Sequence, residues 1–277
     1  MAIRVAACQL AVDVDSPDVG AVDAAVREAA STGARLIVLP ELAFSGYMFA
    51  SQEEVRRAAE PLDGPSVTRI MRLSQETGSV IVAGFCEQGD GGAVHNSAMV
   101  VQDGEFLGCY RKVHLWDRES ELFTPGEGPP LVVDTVVGRL AAMICYDLEM
   151  PDWVGTAAAA GADIIAAPCN WPLLDRPVGE RPLEVVKAQA AAGTFKVHIV
   201  VADRCGQERG VDWIGGSVIC EDTGYPAAGP ATTDDGPARP AVLAADLEPT
   251  SSRNKSLSPR NDVWGDRRPE LYWIGCP

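Results

Sequence analysis

Residues 139–147 read Arg139-Leu140-Ala141-Ala142-Met143-Ile144-Cys145-Tyr146-Asp147, and they decide the class of this fold. The run is an apolar strand that ends at Cys145, where the chain turns sharply. Pro151 suits the first turn of a helix, which is expected to run to Ala160. A strand at Asp163–Ala167 follows, then a helix at Arg181–Phe195 and strands at Val197–Asp203 and Gly215–Cys220. On the other side, Leu131–Thr135 and Arg139–Cys145 read as a hairpin around Gly138.

The N-terminal half alternates in the same way. Ile3–Leu10 is a strand, and Ser16-Pro17-Asp18 is expected to open a helix to about Ser31, with Ser16 as cap and Pro17 in its first position. Arg35–Leu39 is too apolar to face water on either side. Helical stretches near Gln52–Ala59 and Ser66–Thr77 precede strands at Ser79–Cys86 and Val94–Gln102, which flank the Gly89-Asp90-Gly91-Gly92 turn. A short strand near Glu105–Tyr110 leads into Lys112. The segment Tyr225–Pro240, rich in Ala, Gly, Pro and Asp, reads as a mobile surface loop. Ala241–Leu247 is a last strand, and the tail from Thr250 reads as extended. Helices spread between paired strands indicate layered α/β packing with at least one sheet covered by helices.

The chain has 277 residues and no linker, charge block or internal repeat, so one domain over residues 1–277 is expected. A hydrophobic fraction of 47% suffices for a sizeable core. No apolar run reaches membrane-spanning length, which argues against a membrane partner. Met1-Ala2-Ile3-Arg4-Val5 enters a strand directly, without the pattern of a cleavable leader, so the expected location is cytoplasmic. A formal charge of −16 argues against nucleic acid as a partner, because phosphates repel such a surface. Eight cysteines are scattered singly with no C-x-x-C pair, and seven read as buried core thiols. Cys145 is the exception.

Three strand ends carry chemistry: Glu41 after Leu36-Ile37-Val38-Leu39-Pro40, Lys112 after Tyr110-Arg111, and Cys145. A carboxylate, an ammonium and a thiol make a base-activated nucleophile with a cation beside it. Strand ends on one side of an α/β sheet converge, so the three are expected in one crevice. On its own, Cys145 reads equally as a reactive thiol favoured by a helix N-terminus or as a core residue. Lys112 has apolar neighbours Val113, Leu115 and Trp116, and a half-buried ammonium needs an anionic partner. His114 offers a Cys–His alternative, but it reads better as a structural histidine. No metal-ligand spacing, G-x-G-x-x-G or P-loop occurs, so no metal or cofactor is expected.

Leu39-Pro40-Glu41 with Phe44-Ser45-Gly46-Tyr47, Tyr110-Arg111-Lys112-Val113-His114-Leu115, and Ile144-Cys145-Tyr146-Asp147 with Pro151 resemble, in that order, the three signature motifs of the nitrilase (carbon–nitrogen hydrolase) superfamily. Phe123-Thr124-Pro125-Gly126, Ala202-Asp203-Arg204 with Glu208-Arg209-Gly210, and Arg268-Pro269-Glu270-Leu271-Tyr272 extend the resemblance over nearly the whole chain. It implies a four-layer α-β-β-α sandwich, two stacked sheets between helix layers, in a protein that pairs as a homodimer. It also implies Cys145 as nucleophile, Glu41 as general base and Lys112 as the cation at the tetrahedral intermediate. The family's second glutamate falls on Glu119, seven residues beyond Lys112 and four before Phe123, and would orient the substrate amide.

Within the superfamily, Cys145-Tyr146-Asp147 resembles the amidase and carbamoylase branches rather than the C-W-E of nitrilases. The expected substrate is a small aliphatic amide, cleaved to acid and ammonia through a cysteine thioester, with an N-carbamoyl amine or amino acid as the alternative. Tyr47, Trp116, Tyr146, Asn170 and Trp171 are the candidate substrate-binding residues, although each aromatic also reads as core packing. Arg176 and Arg204 are the arginines available for a carboxylate. A non-enzymatic scaffold of the same fold is the reading from a different class, and the filled catalytic positions argue against it.

Overall fold

The computed structural model describes residues 1–232 and 238–272. Cys276 and part of the expected 225–240 loop lie outside these. In chain order the first half contains β1 (Ile3–Gln9), α1 (Val19–Ser31), β2 (Leu36–Val38), α2 (Gln52–Ala58), α3 (Pro65–Thr77), β3 (Val80–Gln88), β4 (Val94–Gln102), β5 (Glu105–Arg111) and the single turn α4 (Glu119–Leu122). The second half contains β6 (Leu131–Thr135), β7 (Gly138–Ala142), α5 (Pro151–Ala159), β8 (Ile164–Pro168), α6 (Leu183–Phe195) and β9 (His198–Ala202). A short ribbon, β10 (Gln207–Glu208) and β11 (Val211–Asp212), precedes β12 (Val218–Cys220), β13 (Pro226–Ala228) and β14 (Ala241–Leu247).

These strands form two six-stranded sheets, in the orders β14-β1-β2-β3-β4-β5 and β13-β12-β9-β8-β7-β6. In each, three central strands are parallel (β1-β2-β3 and β7-β8-β9), and the outer pairings are antiparallel. The strand residues split by parity. Val5, Ala7, Leu36, Val38, Val80 and Val82 pack into one core with Leu140, Ala142, Ile164 and Val200 of the second sheet. Ala6, Cys8, Ile37, Leu39, Ile81 and Ala83 point the other way, onto Val22 and Val26 of α1 and Ile70 and Leu73 of α3. On the far side, Val154 and Ala157 of α5 and Val185 and Ala188 of α6 cover the second sheet. The result is the expected four-layer α-β-β-α sandwich. Strands buried on both faces lose the polar alternation of a half-exposed strand, hence the continuous apolar runs. Burying each such Val, Leu or Ile contributes roughly 1.5–3 kcal/mol.

Some boundaries differ from expectation, for local reasons. α1 starts at Val19, and its cap is Asp18, not Ser16: the Asp18 carboxylate accepts from Ala21 N at 3.0 Å. Pro17 therefore lies outside the helix. α6 begins at Leu183 because Pro182 holds extended backbone before it. The 225–240 segment is not all loop, since Pro226–Ala228 pairs with β12 as an edge strand, where a proline is tolerated. The tail is tied down rather than simply extended. Arg253, at the end of a 3-10 turn over Pro249–Arg253, grips the Asp163 carboxylate at 2.7 and 2.9 Å, and a small hairpin follows. Among the described residues no helix is long and apolar enough to cross a membrane.

Candidate active site

The chain beyond β2 stays bound to β3: Leu39 N donates to Val82 O (2.8 Å), Gly84 N to Pro40 O (3.1 Å), and Ala43 N to Gly84 O (3.0 Å). Only a glycine fits opposite, because a Cβ on residue 84 would lie 2.6 Å from Glu41 Cα. Leu42 then turns at φ 47°, a left-handed conformation that costs a leucine about 1–2 kcal/mol. Lys112 follows β5, with its N–H on Asn96 O and its carbonyl accepting from Gly126 N, both at 2.8 Å. Cys145 lies just past β7 at φ 49° and opens a 3-10 turn over Cys145–Glu149. Thus Glu41, Lys112 and Cys145 sit at ends of β2, β5 and β7, as expected, and Glu119 opens α4.

Lys112, Glu41 and Glu119 are almost wholly buried and touch one another. Lys112 Nζ lies 2.7 Å from Glu41 Oε1 and 2.8 and 2.7 Å from Glu119 Oε1 and Oε2. Asn96 Nδ2 donates to the same pair, at 2.6 Å to Glu41 and 3.0 Å to Glu119. Trp116 N donates to Glu119 Oε2 at 2.6 Å. Glu41 Oε2 is buried without a hydrogen-bond partner. Cys145 Sγ lies 3.8 Å from Asn170 O.

Burial pushes the Glu41 carboxyl up to about 7; Lys112 opposes this and Glu119 adds to it. For Lys112 burial favours the neutral amine, yet Glu119 and Glu41 prevail and hold the ammonium well above its usual range. Burial, followed by the neighbouring Cys169 thiol and Glu41, raises Cys145 well above an ordinary thiol. No thiolate is favoured by a helix N-terminus here, because α5 proper starts only at Pro151 and burial dominates at Cys145. Burial therefore favours the neutral thiol at Cys145, with Glu41 near enough to add to that effect.

Asp147 ties the exit of β5 to the cysteine turn. Its Oδ1 accepts from His114 N at 2.9 Å and lies 2.7 Å from His114 Nδ1. Its Oδ2 accepts from Tyr110 OH at 2.7 Å and Ile144 N at 3.2 Å. His114 is accordingly held as a structural histidine. Tyr110 and His114, two residues to either side of Lys112, both take part in this tie.

A cavity of about 190 Å³ opens beside Glu119 and is lined by Tyr47, Trp116, Phe123, Asn170 and Trp213 among others. Trp116 meets Tyr146 edge-on with ring centroids 4.9 Å apart, and Tyr47 meets Trp213 at 5.6 Å. Both side-chain polar atoms of Asn170 are buried and unpartnered, free for a ligand. Trp171 is 1% exposed, is packed in the core near Val185 of α6 and does not line the cavity. Sequence reasoning missed Asn96 and Trp213. An asparagine in the middle of the apolar strand Val94–Gln102 was a usable signal, whereas Trp213 in a loop gave none. No group of three potential metal ligands occurs among the described residues.

The carbon-nitrogen hydrolase family model matches residues 4–253. The chain belongs to the carbon–nitrogen hydrolase family. It is 36% identical over 276 residues to a nitrilase of Pyrococcus abyssi, covering 98% of this chain and 99% of that one. It is 30% identical to an N-carbamoylputrescine amidase of Arabidopsis thaliana, over 94% of this chain and 90% of that one. Among solved structures it resembles a cysteine-to-alanine mutant of the Nesterenkonia AN1 amidase from the nitrilase superfamily, at 27% identity and a TM-score of 0.77, covering 97% and 95% of the two chains. Carbon–nitrogen bond hydrolysis is therefore the chemistry against which this site is to be read.

Asp147→Ala leaves Tyr110 OH, His114 N and Ile144 N without their acceptor, and each buried orphan costs about 1–3 kcal/mol. Urea denaturation is expected to give a loss of at least about 2 kcal/mol, against about 1 kcal/mol for Tyr110→Phe.

Proposed function

We propose that this hydrolase cleaves small aliphatic amides to the carboxylic acid and ammonia through a thioester on Cys145. The observation that carries the reading is the unpartnered Glu41 Oε2, next to a carboxylate edge already committed to Lys112 and Asn96. A buried lone pair on a carboxyl with a pKa of about 7 is suited to proton transfer at neutral pH.

Glu41 takes the Cys145 proton as sulfur attacks the amide carbon. Charge grows on the amide oxygen, where the Lys112 ammonium and the Tyr146 N–H, in a first helical turn whose N–H groups lack intrahelical partners, stabilise it. Collapse breaks the C–N bond, and Glu41 returns the proton to the departing ammonia. Water then attacks the thioester with Glu41 as base, releasing the acid and the thiol. Glu119, fixed by Lys112, Asn96 and the Trp116 N–H, orients the substrate NH2.

The small, largely apolar cavity suits a short acyl group, with Tyr47, Trp116 and Asn170 among its walls and Tyr146 against Trp116. Support also comes from the Nesterenkonia sp. AN1 amidase, a mutant of which carries the acetamide moiety of fluoroacetamide added covalently at its active site cysteine. One observation favours an N-carbamoyl acid instead: Arg118 lines the cavity and can pair with a carboxylate. Arg176 and Arg204 do not line it; Arg176 donates to Glu180 O, and Arg204 is buried against Glu208. We also infer pairing of two copies, because Leu173, Leu174, Val178, Leu183 and Val186, in and just before α6, leave apolar side chains exposed.

Ammonia release from acetamide, propionamide, longer amides, N-carbamoyl acids and nitriles is expected for the short amides, and to vanish in Cys145→Ala. Turnover confined to carbamoyl acids would move the assignment to that branch, and silence on the whole panel would favour a scaffold. Because Glu41 must be ionised to act as base, kcat/KM is expected to rise with pH through a limb near 7. Glu41→Gln is expected to lose at least about 100-fold in kcat; substantial activity there would remove Glu41 from this role. Light scattering is expected to give twice the chain mass, and a monomer would refute the pairing.

A further inference from the structure

Arg204 and Glu208 form a fully buried ion pair that does not itself line the cavity. Its hydrogen bonds run to the base loop. Arg204 Nη2 donates to Glu41 O at 3.0 Å and Leu42 O at 3.3 Å, while Nη1 donates to Val12 O at 2.8 Å and Glu208 Oε2 at 3.1 Å. The other oxygen of Glu208 accepts from Val14 N and Tyr47 N, each at 2.9 Å. Gly46 leaves room for this, since a Cβ there would lie 2.4 Å from Glu208 Oε1. The backbone of Arg204 is anchored in turn: Gly215 N donates to Arg204 O at 3.0 Å, and the preceding Asp203 accepts from Trp171 N and Gly216 N at 2.9 and 2.7 Å.

The two carbonyls that Arg204 holds flank the left-handed turn at Leu42. A strained turn keeps its geometry only when its surroundings over-determine it, and here the determinants are the close approach of Gly84 on one side and this guanidinium on the other. The planar guanidinium holds the Glu41 and Leu42 carbonyls through one nitrogen while the other binds Val12 O and Glu208, a fixed two-pronged geometry that an ammonium does not offer. The same fork brings a full positive charge to the backbone of the base.

We propose that Arg204 and Glu208 are positioning residues for the base: the fork sets the Glu41 side chain by clamping its backbone, and Glu208 cancels the charge that the fork brings. The proposal rests on the reading of Glu41 as base given above. The charged and titratable groups facing Glu41 are Tyr47 from its own loop, Lys112 after β5, Glu119 of α4, Cys145 after β7, Cys169 after β8, and Asp203 and Arg204 after β9. Lys112 is already shared between two carboxylates, so a second uncompensated cation would hold Glu41 ionised and make it a weaker base.

The test follows the pH dependence of Cys145 alkylation by iodoacetamide, located by mass spectrometry, beside acetamide hydrolysis. Asp203 is also pushed up to about 7 by burial, so Glu41→Gln first assigns the limb; if that variant keeps the wild-type limb, the reading of Glu41 as base fails, and this proposal with it. Glu208→Gln keeps an oxygen for Val14 N and Tyr47 N but leaves Arg204 uncompensated. Its limb is expected to fall by about 1 pH unit, as for a carboxylate that gains a nearby cation. The double variant Arg204→Met with Glu208→Gln removes both charges. Its limb is expected back at the wild-type position, with kcat on acetamide down about 10- to 100-fold through loss of the clamp.

A purely structural pair would lower the melting temperature and leave the limb in place. An unmoved limb in folded Glu208→Gln, or wild-type kcat in the folded double variant, would overturn the proposal. Should Glu208→Gln not fold, the double variant, which carries no unpaired buried charge, decides by its kcat. If wild type ignores acetamide, the substrate reading fails on its own and the alkylation limbs still decide.

Discussion

One lysine ammonium buried between two carboxylates sets the terms for the rest of this molecule. Lys112, Glu41 and Glu119 give up water almost completely, and such groups are stable only when geometry and further hydrogen bonds replace it. Asn96 and the Trp116 N–H supply those bonds, yet one oxygen of Glu41 is left over. Burial, with Glu119 adding to it against Lys112, raises the Glu41 carboxyl to about 7, while at Lys112 the two acids outweigh burial and the ammonium stays charged. The carboxyl proposed as base and the ammonium thus stand side by side.

Holding that cluster requires strand ends from both sheets to be aligned, and the fold meets this with ties between loops rather than with more core. Asp147 binds the lysine strand to the cysteine turn through Tyr110, His114 and Ile144. Arg204 binds the strand end after β9 to the glutamate loop. Leu42 and Cys145, both at positive φ, are the residues these ties hold in place. Strain at Leu42, beside Glu41, and at Cys145 goes together with rigidity around them, because neither turn would persist in an isolated loop.

The layered class, the strand and helix alternation and the three strand ends that carry Glu41, Lys112 and Cys145 were all legible in the sequence. Apolar runs such as Leu36–Leu39 and Leu140–Ile144 allow few alternatives to buried parallel strands, and a polar residue at the end of such a run announces itself. The capping of α1 was misread because Ser16 and Asp18 are comparable acceptors, and only the path of the chain chooses between them. Trp171 and Trp213 were indistinguishable as letters. One is packed in the core near Val185 of α6 and the other lines the cavity, a difference set by how their loops are placed in space.

What the sequence by itself determined was the periodicity of burial, hence the two sheets, and the chemical types at their ends. These follow from local rules about which residues can be covered on both faces. What only the tertiary structure decided was protonation and orientation. The resting thiol at Cys145, the half-committed carboxylate of Glu41 and the clamp from Arg204 depend on desolvation and on partners 71 to 163 residues away along the chain. Electrostatic energy depends on distance and burial in space, which separation along a sequence does not encode.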